Sequence, residues 1–325
     1  MTDGIGVILI NLGTPDQAHP TAVRRYLAEF LSDRRVVEIP QILWQPILRG
    51  LILTTRPKKS AEAYAKIWTE HGSPLRAITI RKKEALKGRL DADVVVLDAM
   101  RYGQPSIGER LDELRAQGCG RILLAPLYPQ YCAATTATAN DEAFRVLSGM
   151  RWQPAIRTLP PYFDDAAYIG ALRANLERQI AALDFEPERL LLSFHGMPER
   201  TRRLGDPYHD QCQATAGLLA RQMSVPVDVA FQSRFGRAKW LEPATDLTLA
   251  AYPGRGVKRI AVAAPGFSAD CLETLEELGI RGRESFLAAG GEGFALLECL
   301  NDSEEGIDLL EHLIRRELAG WLAQQ

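Results

Sequence analysis

Short apolar runs recur along the chain and alternate with stretches in which apolar residues return every three or four positions. Short bounded runs are typical of buried strands, and longer periodic stretches are typical of amphipathic helices. Strands that alternate with helices predict an α/β fold of parallel sheets flanked by helices. The runs cover residues 7–10, 94–97, 122–125, 190–194, 227–231 and 260–264, and the periodic stretches include residues 21–31, 106–115, 208–223 and 269–278.

Two short signatures follow predicted strands in both halves of the chain. The sequence G-x-P begins at Gly13 and again at Gly196, and the pattern P-x5-C-x2-T begins at Pro126 and again at Pro265. Their order is the same in each half, so the repetition predicts two similar α/β domains. Ligands of parallel sheets bind beyond the carboxyl ends of the strands, which makes these positions candidates for a functional site.

The domain boundary is expected where the sequence turns irregular, near residues 152–161. We therefore assign residues 1–152 to the first domain and residues 153–303 to the second. A predicted final helix follows the second domain in sequence. We expect it to pack back on the first domain, which adds residues 304–325 to that domain.

The first half carries an insertion at about residues 40–73. Within it, residues 42–53 are apolar on more than one face, are too few to span a bilayer, and precede a basic cluster. One interpretation is a buried helix pair. The other is an apolar lip that covers a hydrophobic ligand and makes peripheral contact with a membrane surface.

The bulk composition is that of a globular protein: 46% of the 325 residues are hydrophobic, 25% are charged, and the formal net charge is -2. This charge provides no field that would gather nucleic acid or an acidic membrane surface. Five cysteines without a C-x-x-C pair argue against a disulfide framework and favour a reducing compartment. The N-terminal segment lacks the features of a signal peptide, so we expect a cytoplasmic protein.

No common phosphate-binding, metalloprotease or hydrolase motif is present, which directs attention to His195. His195 directly follows an apolar strand and precedes Gly196 and Pro198, which turn the chain. An imidazole there can hold a proton near neutral pH or bind a borderline metal ion. A purely structural histidine is the more common alternative, and the local sequence leaves both open.

A second candidate cluster lies in the predicted helix at residues 269–278. Asp270, Glu273 and Glu277 have the i, i+3, i+7 spacing that lines three carboxylates along one α-helical face. Acidic residues are also favoured at helix N-termini by the helix dipole, so a solvated helix end is the alternative. A histidine that faces these carboxylates at one sheet edge could move protons and a divalent cation.

A series of segments, in the same order along the chain, matches one protein family from residue 11 to the acidic cluster that ends at residue 277. The segments are NLGTP at 11–15, FLSDRRVV at 30–37, GSPL at 72–75, MRYG at 100–103, LYPQY at 127–131, FHG at 194–196, FQSRFG at 231–236, WL at 240–241 and PGFSADCLETLEE at 265–277. On these segments the chain resembles ferrochelatases, especially those of Gram-negative bacteria.

The resemblance implies a chelatase fold of two Rossmann-like domains with the active-site cleft between them. It implies a lyase that inserts Fe²⁺ into protoporphyrin IX, gives protoheme and releases two protons, in the terminal step of heme biosynthesis. His195 and Glu273 match the family's central pair, with both catalytic and metal-binding roles, and Asp270 and Glu277 continue a path for protons or metal. Whether His195 acts mainly as base or as ligand stays open. Another tetrapyrrole metal chelatase and a non-catalytic tetrapyrrole or metal carrier are the alternatives.

The resemblance also assigns a porphyrin site, with protoporphyrin IX and Fe²⁺ as the expected partners. Arginines are expected to hold the propionates, and aromatic side chains are expected to cover the faces of the ring. The expected porphyrin-binding residues are Leu12, Arg56, Ser73, Arg101, Tyr102, Tyr128, Trp240 and Phe267.

Three departures from the family pattern limit what carries over. Cys271 stands where animal ferrochelatases have a histidine. The chain ends at Gln325 without the cysteine-bearing extension that holds a 2Fe–2S cluster in some members. We therefore expect neither such a cluster nor any permanently bound cofactor, with Fe²⁺ as a substrate. Leu12 replaces the tyrosine typical of the coproporphyrin-using branch, which favours protoporphyrin IX.

Overall fold

The computed structural model describes residues 4–236 and 238–322, and the chain divides into two compact units. The first comprises Met1–Tyr128, Cys132–Pro160 and Leu310–Gln325, and the second comprises Pro129–Tyr131 and Pro161–Leu309. Apart from Pro129–Tyr131, the chain passes to the second unit after residue 160 rather than after residue 152, because the strand at residues 155–158 pairs with the sheet of the first unit. The final helix changes unit at residue 310 rather than at residue 304.

The first unit is built on a four-stranded parallel sheet in the order β2-β1-β3-β4. Its central strand β1 is buried over residues 5–11, as expected for a parallel strand covered on both faces. The strands are β1 (Gly4–Gly13), β2 (Val94–Tyr102), β3 (Cys119–Pro126) and β4 (Ala155–Thr158).

The helices of the first unit surround this sheet. They are α1 (Pro20–Ser32), α2 (Gln41–Ile47), α3 (Leu53–Ile67), α4 (Pro74–Lys87), α5 (Ile107–Ala116) and α6 (Thr138–Ser148), with π-helical turns at Leu48–Ile52 and Ala133–Ala137. A capping box formed by Ser106 and Glu109 begins α5. Leu111 of α5 packs with Ile8 and Leu97 of the sheet in one apolar core.

The insertion is helical from residue 41 to residue 67. Trp44 and Leu48 face inward and are buried, whereas the side chains of Ile42 and Leu43 are 84% and 61% exposed. The interpretation as a buried helix pair is therefore wrong, because one side of the segment presents apolar groups to solvent. We call this side the lip surface; it consists of Ile39, Ile42, Leu43, Ile47 and Leu51.

The second unit repeats the arrangement with the strand order β6-β5-β7-β8, again parallel throughout. Its strands are β5 (Arg189–His195), β6 (Val227–Gln232), β7 (Arg259–Ala263) and β8 (Gly293–Leu296). Its helices are α7 (Ala166–Ala181), α8 (Glu199–Arg203), α9 (Tyr208–Ala220), α10 (Thr245–Ala251) and α11 (Arg283–Ala288), with a 3₁₀ turn at Pro253–Arg255. A π-helix at Glu273–Gly282, here called the acidic π-helix, precedes α11.

The final helix α12 (Glu304–Leu318) runs from the second unit into the first. Within the first unit, the Arg315 guanidinium donates to the Arg89 carbonyl oxygen at 2.6 Å, and the Arg157 guanidinium donates to the Ala319 carbonyl oxygen at 2.9 Å. These bonds hold the C-terminal part of the chain against the first unit. In the part of the chain that the structure describes, no helix combines the length and apolar content that crossing a membrane requires.

The two units share more than their strand order. In each, a G-x-P sequence closes the central strand, and a P-x5-C-x2-T sequence leads from the third strand into a π-helical segment. The prediction of two similar α/β units is therefore confirmed. The apolar runs did not predict β4 and β8, because each has only four residues and is at best half-buried along its length.

Candidate active site

His195 ends β5, the central strand of the second unit. The strand is buried from Leu190 to Phe194, and the His195 side chain emerges half-buried at its carboxyl end. The His195 Nδ1 atom lies 2.7 Å from the Gly196 carbonyl oxygen. A carbonyl oxygen only accepts, so in the neutral imidazole Nδ1 carries the proton and Nε2 keeps a lone pair. That lone pair can take a proton or bind a metal ion.

Two aromatic side chains from the predicted set lie beside His195. The Phe267 ring centroid is 6.5 Å from that of the imidazole, at an interplanar angle of 51°. A β-carbon on Gly196 would lie 3.3 Å from Trp240 Cε3, so the indole lies against the turn that follows the histidine. The Trp240 Nε1–H donates to the Phe235 carbonyl oxygen at 2.8 Å, which fixes the ring. Both rings are half-exposed and form an apolar wall beside a polar imidazole.

The carboxylates do not line one α-helical face, and this prediction was wrong. The segment is a π-helix that begins at Glu273, so Asp270 precedes it. Asp270 is buried, and its oxygens accept from Asn301 Nδ2 at 2.6 Å, Thr274 Oγ1 at 2.8 Å and Cys299 N at 3.3 Å. These contacts turn the Asp270 carboxylate into the protein.

Glu277 is held by a strained residue at the end of β6. The Ser233 N–H and Oγ–H donate to the two Glu277 carboxylate oxygens at 2.8 and 2.6 Å. Ser233 adopts φ of 64°, the left-handed region that non-glycine residues rarely enter. The neighbouring Glu276 is buried and pairs with Arg281 at 2.9 Å. Each carboxylate of the acidic π-helix therefore has its own surroundings.

Glu273 is tied to the strand of His195 through Gln232. Gln232 pairs in register with His195, and its Nε2–H donates to the Glu273 carbonyl oxygen at 2.8 Å. Burial raises the pKa of the nearby Cys271 thiol, and the Glu273 carboxylate raises it further. Both effects favour the neutral thiol form of Cys271.

Arg101 and Tyr102 of the first unit belong to a buried polar cluster. Arg101 Nη2 donates to Asp33 at 2.6 Å, and its Nε donates to the Thr138 carbonyl oxygen at 2.9 Å. The Tyr102 hydroxyl donates to the same Asp33 oxygen at 2.9 Å, and the Tyr102 side chain is fully buried. Burial raises the pKa of Tyr102 strongly. These side chains hold one another in place and leave little surface for a ligand.

The remaining predicted residues of the first unit lie in different settings. Ser73 is buried and accepts from Thr14 Oγ1 at 2.8 Å, while Leu12 is half-exposed and Arg56 is exposed on α3. The Tyr128 hydroxyl is buried and has no hydrogen-bond partner among the described residues. A buried phenol without a partner needs an explanation such as a water or a ligand.

Sequence reasoning missed the residues that hold these side chains: Gln232, Ser233, Asp33 and Thr138. The first two belong to the FQSRFG segment and the third to FLSDRRVV, which were used only as marks of resemblance. Their signal is a polar side chain at or beside a strand end or helix end. Over residues 4–236 and 238–322, no group of three or more His, Cys, Asp or Glu side chains could hold a metal ion.

Comparisons with known proteins agree on one family. The sequence matches the ferrochelatase family profile over residues 4–318. It is 54% identical over 326 residues to the ferrochelatase of Rhizobium meliloti strain 1021, which covers 98% of this chain and 96% of the relative. It is 49% identical over 330 residues to the ferrochelatase of Methylocella silvestris, which covers 98% of this chain and 95% of that relative.

Solved structures share the fold. The sirohydrochlorin chelatase SirB from Bacillus subtilis subspecies spizizenii, in complex with cobalt, gives a TM-score of 0.59 at 12% identity, over 98% of this chain and 96% of that chain. SirB from Bacillus subtilis with Fe3+ gives a TM-score of 0.56 at 17% identity, over 77% of this chain and 93% of that chain. At such low identities these structures establish the chelatase fold alone.

Proposed function

The chain belongs to the ferrochelatase family and is a metal chelatase, and we propose that it inserts Fe²⁺ into protoporphyrin IX as a lyase. The reaction gives protoheme, releases two protons, and is the terminal step of heme biosynthesis. The observation that supports this site most directly is the His195 imidazole, whose Nε2 lone pair is left available beside the Phe267 and Trp240 rings.

The chemistry requires two steps that suit these groups. Two pyrrole protons must leave a planar macrocycle, and a neutral imidazole is a good base near pH 7. The hydrated cation must also lose its waters, for which His195 and the Glu273 carboxylate can serve as replacement ligands. A wall of aromatic rings that fits a bent macrocycle better than a flat one would expose the pyrrole nitrogens and lower the barrier.

Glu277 and Asp270 have unequal claims to the proton or metal path. Glu277 shares the acidic π-helix with Glu273, and Ser233 fixes its carboxylate. The Asp270 carboxylate is buried and accepts hydrogen bonds from three partners. We therefore propose that it takes part in proton transfer rather than in metal delivery.

The porphyrin would be held by groups of both chemical kinds. Arg56 is exposed, and we propose that it binds a propionate. Arg101 pairs with Asp33 at 2.6 Å and would orient neighbouring side chains of the site. The Tyr128 hydroxyl, which lacks a partner among the described residues, is a candidate contact for the ring or a water on it. Leu12, Trp240 and Phe267 supply apolar contact.

We further propose that the protein acts in the cytoplasm without a resident cofactor. Its cysteines are buried and are not paired in disulfides, as suits a reducing compartment, and iron enters as a substrate. Absorption spectroscopy and iron analysis of the purified protein test this: a 2Fe–2S spectrum with stoichiometric iron would contradict it.

We propose that the lip surface makes peripheral contact with a membrane. Five apolar side chains face solvent there, and the exposed Lys58 and Lys59 that follow can attract anionic headgroups by about 1 kcal/mol each. A variant with serine at Ile42, Leu43, Ile47 and Leu51 should co-sediment about tenfold less with vesicles containing phosphatidylglycerol. Serine at the exposed Leu204 and Leu247 is the control and should change nothing; equal binding by both variants would refute the contact.

Anaerobic incubation with protoporphyrin IX and either Fe²⁺ or Zn²⁺ tests the main proposal. Loss of the free-base spectrum over many turnovers is the expected result. A spectral shift that stops at one equivalent of protein would instead indicate a carrier. Turnover with sirohydrochlorin but not with protoporphyrin would indicate a different tetrapyrrole chelatase.

A further inference from the structure

A buried glutamine at the end of β6 touches both the turn after His195 and the segment of Glu273. Gln232 is 2% exposed and pairs in register with His195, and its main-chain oxygen accepts the Gly196 N–H at 2.8 Å. A β-carbon on Gly196 would lie 2.4 Å from that oxygen, so only glycine permits the approach. The backbone of Gln232 therefore fixes the turn that follows His195.

The side chain of Gln232 reaches the other catalytic candidate. Its Nε2–H donates to the Glu273 carbonyl oxygen at 2.8 Å, and its Oε1 accepts from Ser193 Oγ at 2.8 Å. Ser193 Oγ also lies 2.8 Å from Thr245 Oγ1. Because the single Ser193 proton goes to Gln232, Thr245 must donate to Ser193, and this series of donors fixes which end of the amide faces Glu273.

We propose that Gln232 is a positioning residue that sets the spacing between the His195 imidazole and the Glu273 carboxylate during metal insertion. The inference rests on the proposed function. Gln232 touches neither the metal nor the porphyrin in this role; it restrains the backbone that carries each reacting group. Displacing a reacting group by about 1 Å can cost on the order of 100-fold in rate, so a single buried amide can control turnover.

The first unit supports this role independently. Arg101 lies at the corresponding place on β2, between the register pairs Asn11–Met100 and Gly13–Tyr102. Its Nε donates to the Thr138 carbonyl oxygen at 2.9 Å, in the helical segment that follows Cys132. Each unit thus ties the end of its outer strand to the backbone of that segment. In the second unit the tied segment carries the acidic residues.

The test compares Gln232→Met with Asn175→Leu. Met keeps the length of the side chain and removes its polar atoms. Asn175 is a matched control, because it is also 2% exposed and its Nδ2–H donates to the Glu298 carbonyl oxygen at 3.0 Å. For Zn²⁺ insertion we expect kcat of Gln232→Met to fall between about tenfold and 100-fold, with KM for protoporphyrin within about twofold of wild type. Asn175→Leu should keep kcat within about twofold.

The outcomes separate this inference from the proposed function. Equal kcat for Gln232→Met and Asn175→Leu, in a wild type that turns over, would overturn the positioning role. A rise in the KM for protoporphyrin that matches the fall in kcat would also overturn it, because it would make Gln232 a binding residue. Absence of wild-type turnover would instead refute the proposed function. Should Gln232→Met not fold, Gln232→Glu keeps the shape, places an acceptor against the Glu273 carbonyl, and should lower kcat by a similar factor.

Discussion

The two units are copies of one arrangement, and they differ at the positions where chemistry is expected. Aligned on the G-x-P signature, Leu12 of the first unit corresponds to His195 of the second. Aligned on the cysteine signature, Ala134 corresponds to Glu273. The first unit has the same sheet edge and the same π-helical entry, but it places apolar groups there. The fold by itself therefore provides the frame, and a few side chains in one copy provide the reaction.

The scaffold around these positions is similar in both copies. Thr138 and Glu277 both lie six residues after the signature cysteine, and each is bonded by the end of the outer strand. In the first unit a charged pair, Arg101 and Asp33, supplies the connection. In the second, neutral donors from Gln232 and Ser233 do so. We infer that holding the helical segment after the signature cysteine against the outer strand is a property of the architecture, which the second unit uses to position carboxylates.

Replacing His195 should have the largest effect on activity. His195→Ala removes the base and one ligand, so insertion of Zn²⁺ should fall by about 1,000-fold or more. Porphyrin binding, measured by fluorescence quenching, should persist. Leu12→Ala, at the equivalent position, removes only apolar contact and should raise KM for protoporphyrin about tenfold while kcat changes less than about twofold. Similar losses of kcat in both variants would show that the reacting group is not confined to the second unit.

Neutralising Glu273 should have the next largest effect. Glu273→Gln keeps the backbone bond from Gln232 but removes a charge that a cation or a proton needs, so kcat should fall about 100-fold with the fold intact. Glu276→Gln is the control on the same helix, because that carboxylate faces Arg281. It should lower the melting temperature and leave kcat within about threefold. Equal kcat in Glu273→Gln and wild type would reduce the acidic π-helix to a structural element.

The glycines that close the two central strands should differ in their effect on stability. A β-carbon on Gly13 would lie 1.9 Å from the Tyr102 carbonyl oxygen, and Gly13 has φ of 119°. A β-carbon on Gly196 would lie 2.4 Å from the Gln232 carbonyl oxygen and 3.3 Å from Trp240 Cε3, but Gly196 does not have a positive φ. We expect Gly13→Ala to destabilise its unit by about 2 kcal/mol and Gly196→Ala by about 1 kcal/mol. Urea unfolding combined with limited proteolysis can assign each loss in free energy of unfolding to its unit. A larger loss for Gly196→Ala than for Gly13→Ala would contradict this prediction.

The sequence predicted most of the frame for a physical reason. Six strands are apolar runs because both sheet faces are covered, and these were found. The strands β4 and β8 lack such a run, since each has only four residues and none of these residues is fully buried. His195 was found because ligands of parallel sheets bind beyond the carboxyl ends of the strands, and His195 ends a predicted strand. Its assignment as a catalytic residue still required the family resemblance.

The positioning residues could not be predicted in the same way. The π-helical start of Glu273–Gly282 depends on backbone hydrogen bonds that no local propensity encodes, so the α-helical spacing of Asp270, Glu273 and Glu277 misled. Gln232 and Ser233 gain their roles from strand register and from a segment about 40 residues further along the chain. Such contacts depend on tertiary structure, which one-dimensional patterns do not contain.

The smallest effect concerns the charged connection in the first unit, and it should depend on pH. Burial acts to raise the pKa of Asp33, but hydrogen bonds from Thr138, the Arg35 N–H and Tyr102, together with the Arg101 charge, lower it overall. A carboxyl whose pKa is lower in the folded than in the unfolded protein stabilises the fold above its ordinary value of 3.8 and loses that contribution as the pH falls through the folded value. Asp33→Asn should therefore lower the melting temperature at pH 7 by about 2–4 °C per kcal/mol lost, and the difference from wild type should shrink below pH 3.8.

Two variants serve as controls for this pH dependence. The difference in melting temperature between Gln232→Met and wild type should be the same at pH 7 and below pH 3.8, because an amide does not titrate. The exposed Asp141→Asn should have nearly the wild-type melting temperature at both pH values. A deficit of Asp33→Asn that does not change with pH would show that shape, rather than charge, connects the outer strand of the first unit to its helix.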